Sequence, residues 1–207
     1  MKKEGTVGIY GGTFSPPHQG HIHAVNAFLD ECPLDKLYIV PTFIPPHKQV
    51  TDNVTAQNRL DMVNIAFSSH PEWGGRLFVS DVEIRKGGKS YTVDTVKYFS
   101  RRAEKLCLLI GTDMMMTFGS WYKPETICKY AELVFISREN ETPDSAKEIE
   151  RQIVKTENQF NTRVTRLKAS AVPMDSTSLR EALLRGEKPE GLPDGVYEYI
   201  EANGLYK

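Results

Sequence analysis

This sequence has few cysteines, no long apolar run and no large excess of charge of either sign. Its three cysteines, Cys32, Cys107 and Cys128, form no Cys-x-x-Cys pair, which argues against a disulfide framework and against a zinc ribbon. No apolar run approaches the roughly 20 residues that a membrane-spanning helix needs, and the sequence shows no signal peptide. These absences predict a cytoplasmic protein that has no membrane partner.

The charges nearly balance, with 26 basic and 27 acidic residues and a formal net charge of −1. This balance gives no electrostatic reason to expect nucleic acid as a partner, so any positive potential must be local. No internal repeat and no low-complexity linker interrupts the 207 residues. We therefore expect a single domain over residues 1–207, with a small helical C-terminal portion at about 176–207. A homo-oligomer is compatible with this sequence.

Short apolar runs alternate with amphipathic segments along the chain. The runs predict six strands: Thr6–Tyr10, Leu37–Val40, Leu77–Ser80, Leu106–Ile110, Leu133–Ser137 and about Arg163–Leu167. The amphipathic segments predict six main helices: about Gly20–Asp30, Thr55–Phe67, Tyr91–Arg102, Ser145–Phe160, Ser176–Arg185 and Asp194–Ala202. The alternation indicates an α/β fold, a Rossmann-like doubly wound parallel sheet of about six strands with helices on both faces. Ligands bind beyond the carboxyl ends of the strands in such sheets.

The most informative segment, residues 11–21, reads Gly-Gly-Thr-Phe-Ser-Pro-Pro-His-Gln-Gly-His and joins the first strand to the first helix. Its glycines let backbone N–H groups approach an anion, and the helix N-terminus adds partial positive charge. His18 and His21 lie three residues apart and face the same side of the first turn. We expect them to contact phosphate. A His-x-x-His pair can also bind zinc with a distant ligand, and buried structural histidines are the third alternative.

A second polar segment, residues 174–180, reads Met-Asp-Ser-Thr-Ser-Leu-Arg at a predicted helix start. Hydroxyl groups at this position either cap the helix backbone or bind phosphate oxygens. Arg180, one turn further, can hold a phosphate through two parallel hydrogen bonds. The simpler interpretation is a serine N-cap followed by a solvated arginine.

Both segments resemble motifs of the nucleotidyltransferase superfamily, Gly-x-Phe-x-Pro-x-His-x-Gly-His and Ile-Ser-Ser-Thr-x-x-Arg. Asp175 stands where the second motif has its first serine, and Ser15 stands where family members mostly carry aspartate. The exchange at Ser15 removes a negative charge near the triphosphate. The resemblance implies ATP, carried with Mg²⁺, as a substrate and catalytic roles for His18, His21 and Arg180. It also implies a set of ATP-binding residues: Gly11, Gly12, Thr13, Phe14, His18, His21, Ser176, Thr177 and Arg180.

Further segments narrow the resemblance to the bacterial nicotinate-mononucleotide adenylyltransferases. They are Pro45 to Lys48, Ser90 to Thr92, Gly111 to Asp113, Phe118 with Trp121 and Tyr122, Val196 to Ile200, and Leu205 with Tyr206. The resemblance implies in-line transfer of the adenylyl group of ATP to nicotinate mononucleotide without a covalent intermediate. The products are deamido-NAD and pyrophosphate, in NAD biosynthesis. The residues implied to bind nicotinate mononucleotide are Lys48, Tyr91, Thr92, Asp113, Trp121, Tyr122 and Arg138. Thr92 and Tyr122 are implied to act through their backbone N–H groups, on the nicotinate carboxylate.

Several of these residues have a structural interpretation beside the functional one. Asp113 either accepts a bond from the acceptor nucleotide or caps the Met-rich helix that follows it. Trp121 either stacks on a pyridinium ring or belongs to the core. Lys48 and Arg138 either reach a phosphate or are solvated surface residues. Three other functions stay open: transfer to another phosphorylated metabolite, nicotinamide mononucleotide included, a non-catalytic ATP sensor, and a zinc-dependent hydrolase.

Overall fold

The computed structural model describes residues 3–46, 53–68, 70–138 and 142–207. Six strands form one sheet in the order β3-β2-β1-β4-β5-β6, and every neighbouring pair is parallel. The strands are β1 Glu4–Gly12, β2 Lys36–Pro41, β3 Leu77–Val79, β4 Ala103–Gly111, β5 Glu132–Arg138 and β6 Val164–Ala171. The predicted fold class is therefore confirmed, and all six predicted strands are present.

Helices fill the connections between these strands. They are α1 Gln19–Glu31, α2 Ala56–Ser68, α3 Val82–Lys86, α4 Thr92–Ser100, α5 Thr112–Thr117, α6 Pro124–Tyr130, α7 Pro143–Phe160, α8 Ser176–Leu184 and α9 Asp194–Ala202. All six main predicted helices occur, and α5 is the Met-rich helix after the central strand. The sequence did not predict α3 and α6, because five and seven residues are too few to show a helical repeat. No described helix has the length and apolar character to cross a membrane.

The core has two apolar clusters, one on each face of the sheet. Consecutive residues of β4 alternate between them: Cys107 and Leu109 face one cluster, while Leu106, Leu108 and Ile110 face the other. All five are buried, as is typical of a central parallel strand covered by helices on both faces.

The strand order reverses between β1 and β4, and the space beyond the carboxyl ends of these two strands is called the crevice. β1 pairs with β2 as far as Gly12 and Pro41, but its pairing with β4 ends at Tyr10 and Leu109. The carboxyl ends of β1 and β4 therefore separate, and ligands bind at such switch points in open α/β sheets.

Helix α1 is fixed against the edge strand β6 at two places. The Glu31 carboxylate accepts hydrogen bonds from the backbone N–H groups of Lys168 (2.6 Å) and Ala169 (2.9 Å). This contact lies where β6 shifts register against β5. Nε2 of His23 donates to the carbonyl oxygen of Ser170 over 2.8 Å. These contacts hold α1 so that its N-terminus faces the crevice.

Candidate active site

His18 and His21 lie together at the N-terminus of α1. His18 is the N-cap, its backbone N–H donates to Nδ1 of His21 over 3.1 Å, and the two ring centroids are 3.8 Å apart. Burial lowers the pKa of His18 to about 4, although the nearby Asp175 carboxylate opposes this shift. Burial, and then the neighbouring His18, hold the pKa of His21 well below its usual range. Both rings are therefore neutral at neutral pH, and the proton of His21 lies on Nε2.

Two glycines of the segment lie in close packing around these rings. A Cβ at Gly12 would lie 2.9 Å from the ring of Phe14, whose centroid is 4.9 Å from that of His21. A Cβ at Gly20 would lie 3.0 Å from Nδ1 of His18, an atom that has no hydrogen-bond partner among the described residues. At Gly11 the nearest atom would be 3.9 Å away. Gly11 therefore leaves open space at the crevice, where a ligand can approach the backbone.

Helix α8 is attached directly to residues 11–21. Nη1 of Arg180 donates to the carbonyl oxygen of Ser15 over 2.9 Å, and Nη2 donates to Oγ1 of Thr177 over 3.1 Å. Oγ of Ser176 donates to the carbonyl oxygen of Pro16 over 3.2 Å. The structure thus brings the two sequence motifs together, and the interpretation of Arg180 as a solvated residue is wrong.

The N-cap of α8 is Asp175, so the serine N-cap of the simpler interpretation is also wrong. Its carboxylate accepts from the backbone N–H groups of Thr177 (2.9 Å) and Ser178 (3.0 Å). These bonds, together with one from the Ser178 hydroxyl, hold the pKa of Asp175 below its ordinary value. A permanent negative charge therefore occupies the start of α8, close enough to His18 to affect its titration.

Sequence reasoning missed Arg59, which is 1% exposed. Its Nη1 donates to the carbonyl oxygens of Thr13 (2.9 Å) and Thr42 (2.6 Å), and its Nη2 donates to that of Phe43 (2.8 Å). Burial lowers the pKa of Arg59. One guanidinium group therefore joins the segments that follow β1 and β2. No pattern signals this role, because an arginine on a helix ordinarily indicates a solvated position.

Phe43 extends this connection to the expected acceptor region. Its backbone N–H donates to Oγ of the buried Ser90 over 2.8 Å, and the Ser90 N–H donates to the carbonyl oxygen of Ile44 over 2.9 Å. Ser90 directly precedes Tyr91, the N-cap of α4, and Thr92, its first residue. The two halves of the candidate site are therefore coupled through hydrogen bonds in which Arg59, Phe43 and Ser90 take part.

Tyr91 and Tyr122 meet beside the N-terminus of α4. Their ring centroids are 4.7 Å apart, and Tyr122 is 51% exposed. A cavity of about 450 Å³ opens next to both rings. Its lining includes four lysines, Lys86, Lys89, Lys97 and Lys123, and one carboxylate, Asp94, which pairs with Lys86. Positive charge is therefore concentrated locally at this cavity, although the net charge of the chain is only −1.

Trp121 and Asp113 lie beyond the carboxyl end of β4. Trp121 is partly buried against Phe118, with ring centroids 5.3 Å apart. Asp113 is an exposed residue in the first turn of α5, whose N-cap is Gly111, so Asp113 does not cap that helix. The hydroxyl of Thr112 is buried and has no hydrogen-bond partner in the described part of the chain. This orphan group at the crevice was not singled out by sequence reasoning.

Two expected acceptor residues have no described side chain. Lys48 lies outside the described residues. Arg138 is the last residue of β5, so its backbone lies at the carboxyl ends of the strands, as does that of Gly12. Its side chain lies outside the described part. Their assignments stay predictions.

A metal centre at the two histidines has little support among the described residues. These residues contain no group of three or more His, Cys, Asp or Glu side chains that could hold a metal ion. Moreover, Nδ1 of His21 already accepts a hydrogen bond. The contacts favour the phosphate interpretation over the zinc one.

The chain is similar to known proteins in both sequence and fold. Residues 9–182 match the Cytidylyltransferase-like family. The nicotinate-nucleotide adenylyltransferase of Bacillus subtilis is 33% identical over 100% of both chains, and a probable enzyme of that name from Caldicellulosiruptor bescii is 32% identical over 97% of this chain and 98% of its own. The solved structure of Plasmodium falciparum nicotinic acid mononucleotide adenylyltransferase with NaAD has a TM-score of 0.73 at 17% identity, covering 98% of each chain. At that identity the structural likeness concerns the fold.

Proposed function

The chain belongs to the cytidylyltransferase-like family and, within it, to the nicotinate-nucleotide adenylyltransferases, and on this basis we propose that it transfers the adenylyl group of ATP to nicotinate mononucleotide. The products are deamido-NAD and pyrophosphate. The observation that carries the proposal is the neutral histidine pair at the start of α1, joined to α8 through Arg180 and Ser15. This pair lies at the switch point of the sheet, where a nucleotide phosphate is expected.

The proposed reaction is a direct in-line displacement. A phosphate oxygen of nicotinate mononucleotide forms a bond to the α-phosphorus of ATP, and the bond from that phosphorus to the oxygen bridging to the β-phosphate breaks. Pyrophosphate leaves with the bonding electron pair. A phosphate monoester has its second pKa near 6, so it is mostly a dianion at neutral pH and needs no general base. Catalysis then consists of positioning and of stabilising charge on the leaving group.

The residues at α1 and α8 suit that task. His21 presents Nε2–H as a neutral donor because its Nδ1 is occupied, and the N-terminus of α1 adds partial positive charge. Nδ1 of His18 faces Gly20, so Nε2 is the nitrogen that we assign to a ligand. Arg180 supplies a permanent positive charge beside Thr177. Nucleotidyl transfer of this kind uses a divalent metal, and we propose Mg²⁺ carried in by the ATP phosphates as part of the substrate.

We assign the acceptor to the region around α4 and α6. The ring of Trp121 offers a face on which a cationic pyridinium can stack. The backbone N–H groups of Thr92 and Tyr122 would hold the nicotinate carboxylate, beside the lysine-lined cavity. We assign Asp113, at the start of α5, to accept a bond from the acceptor nucleotide. Lys48 and Arg138 complete the proposed set as phosphate ligands.

The test is pyrophosphate release from MgATP with three acceptors: nicotinate mononucleotide, nicotinamide mononucleotide and phosphopantetheine. We expect kcat/KM for the first to exceed the others by at least about tenfold, which corresponds to about 1.4 kcal/mol of discrimination. A preference for another acceptor would be compatible with the proposed ATP-binding residues but would refute the residues assigned to nicotinate mononucleotide. ATP binding without pyrophosphate release from any acceptor would instead indicate a nucleotide sensor.

A further inference from the structure

Tyr206, the next-to-last residue, contacts the ATP-binding segment from the opposite end of the chain. Its hydroxyl oxygen lies 2.9 Å from Oγ of Ser15, and the two residues are 3% and 6% exposed. The carbonyl oxygen of the same Ser15 accepts the hydrogen bond from Arg180. Residues 11–21, helix α8 and the C-terminal end of the chain therefore meet at one residue.

Two residues at this contact, one in each of the segments that meet, have a left-handed backbone conformation. Phe14, which precedes Ser15, has φ +49°, and Tyr206 has φ +58°. Residues with a Cβ rarely adopt these angles, and they persist where surrounding contacts enforce them. The backbone N–H of Tyr206 donates to Oδ1 of Asn53, and Nδ2 of Asn53 donates to the carbonyl oxygen of Gly204. The surrounding contacts thus hold Tyr206 in a defined position.

The end of α9 directs Tyr206 toward Ser15. Gly204 has φ +59°, and its N–H donates to the carbonyl oxygen of Glu201. The Leu205 N–H donates to that of Ile200, which completes the double hydrogen bond of a Schellman motif. Leu205 is buried directly after this turn. Residues 204–206 are therefore a structured extension of α9.

We propose that Tyr206 is a positioning residue for ATP. Its hydroxyl fixes the side chain of Ser15, the backbone of Ser15 holds Arg180, and the neighbouring Phe14 ring packs against His21. Loss of the hydroxyl leaves the Ser15 hydroxyl without this buried partner and removes one restraint on the segment that binds the triphosphate. The kinetic test of this inference rests on the proposed function, because it needs nicotinate mononucleotide as the acceptor. The Kd for MgATP provides a second test that needs no acceptor.

A double-mutant cycle tests the proposal with Ser15→Ala, Tyr206→Phe and the combined variant. The measurements are the Kd for MgATP by calorimetry and the steady-state constants with nicotinate mononucleotide. We expect each single variant to weaken ATP binding and to lower kcat/KM for ATP about fivefold to tenfold. The combined variant should be no worse than the poorer single variant, because both changes remove the same contact. KM for nicotinate mononucleotide should stay within about twofold.

Tyr199→Phe is the matched control. Its hydroxyl, on helix α9, donates to Asp61 over 2.8 Å and accepts from Nδ2 of Asn58 over 3.2 Å, and both partners belong to α2. This variant should lose stability while its Kd for MgATP stays within about twofold of wild type.

ATP affinities of Ser15→Ala and Tyr206→Phe within twofold of wild type would overturn the inference, and so would effects that multiply in the combined variant. If Tyr206→Phe does not fold, Ser15→Ala decides alone, since it removes one small side-chain oxygen. Calorimetry with MgATP needs no acceptor. A wild-type protein that binds ATP but does not use nicotinate mononucleotide would refute the proposed function and leave this test intact.

Discussion

The backbone N–H of His18 donates a hydrogen bond to Nδ1 of His21, and this contact determines what His21 can offer a substrate. A protonated His21 would place a hydrogen on Nδ1, against the N–H of His18. The fold therefore favours the neutral ring with its proton on Nε2, in agreement with the lowered pKa of His21. A neutral donor of fixed direction can stabilise charge that develops on a phosphate oxygen without requiring a protonated histidine.

Replacement of His21 by alanine should lower kcat much more than it lowers stability. Removal of one preorganised donor from an active site costs about 100-fold to 1000-fold in kcat. Loss of the contact to the His18 N–H should cost about 1 kcal/mol of unfolding free energy, as for other helix N-terminal contacts. Pyrophosphate release and urea unfolding measure the two effects.

His23→Ala is the control for this prediction, because His23 lies on the same helix but its Nε2 bonds the Ser170 carbonyl oxygen. We expect a stability loss of about 1 kcal/mol and kcat within about twofold of wild type. A folded His21→Ala protein with unchanged kcat would remove His21 from the proposed chemistry.

Buried His18 should make the protein less stable as the pH falls below 6.5. Its pKa is about 4 in the folded state against 6.5 for a free histidine. Between these values the unfolded chain binds the proton and the folded chain does not, so stability rises with pH through this window and is lost as the pH falls. The shift corresponds to about 3 kcal/mol at most.

His18→Gln should remove this part of the pH dependence. Urea unfolding at about pH 7 and about pH 4.5 should show a stability loss smaller by about 2 to 3 kcal/mol in the variant. The carboxylates titrate in both proteins, so the difference between the two proteins reports His18 together with its effects on His21 and Asp175. Parallel stability curves would mean that His18 does not titrate as its burial indicates.

The sequence predicted the parts of the site that reside in local patterns. The apolar run at Leu106–Ile110 predicted a strand buried on both faces, and residues 11–21 and 174–180 predicted two phosphate-binding segments. Arg180 and Ser176 hold α8 against residues 11–21. This placement follows from the topology of the sheet, which the alternation of strands and helices indicates.

Contacts between a side chain and a distant backbone carbonyl were not predictable. Arg59 and Thr13 are 46 residues apart, and Ser15 and Tyr206 are 191 residues apart. Neither contact pairs opposite charges or repeats with a helical or strand period. The N-cap of α8 was not predictable for a different reason, since serine, threonine and aspartate are all good N-caps and residues 175–178 contain all three.

Arg59→Lys should destabilise the fold although it retains the positive charge. A single ammonium nitrogen does not reproduce the planar fork that reaches the carbonyl oxygens of Thr13, Thr42 and Phe43. We expect a loss of about 2 to 4 kcal/mol in urea unfolding, because buried carbonyl groups lose their donors.

Arg85→Lys provides the comparison, because Arg85 is exposed and pairs with Asp81 on the surface. Its expected effect is below about 0.5 kcal/mol. Equal effects of the two substitutions would show that the buried guanidinium group does not hold the segments after β1 and β2 together.

Trp121→Leu should raise KM for nicotinate mononucleotide and leave KM for ATP unchanged. A cation–π contact of about 0.5 to 2 kcal/mol predicts an increase between about twofold and thirtyfold. Trp121→Phe retains a ring and should show a smaller increase. Steady-state kinetics with each substrate varied in turn separates the two constants. If both KM values rise together, or only stability falls, Trp121 belongs to the Phe118 cluster and does not bind the acceptor.

Replacing Asp175 by serine should preserve α8 and improve the use of ATP. Serine is about as good an N-cap as aspartate, whereas Asp175→Ala loses the cap and should cost about 1 kcal/mol. Both substitutions remove a carboxylate, whose pKa is held low, from the helix start that we assign to phosphate binding. A carboxylate and a nearby phosphate repel each other by a fraction of a kcal/mol in a solvated site. KM for ATP should therefore fall about twofold to threefold in Asp175→Ser and in Asp175→Ala.

The dependence on salt distinguishes this electrostatic effect from a change in shape. Mobile ions screen the repulsion between Asp175 and the phosphates, so the difference in KM between wild type and Asp175→Ser should shrink as salt is raised. A KM for ATP that is unchanged or higher in Asp175→Ser, with stability preserved, would place the triphosphate away from the start of α8. In that case Ser176, Thr177 and Arg180 would hold residues 11–21 in position through Ser15 and Pro16 and would not bind ATP themselves.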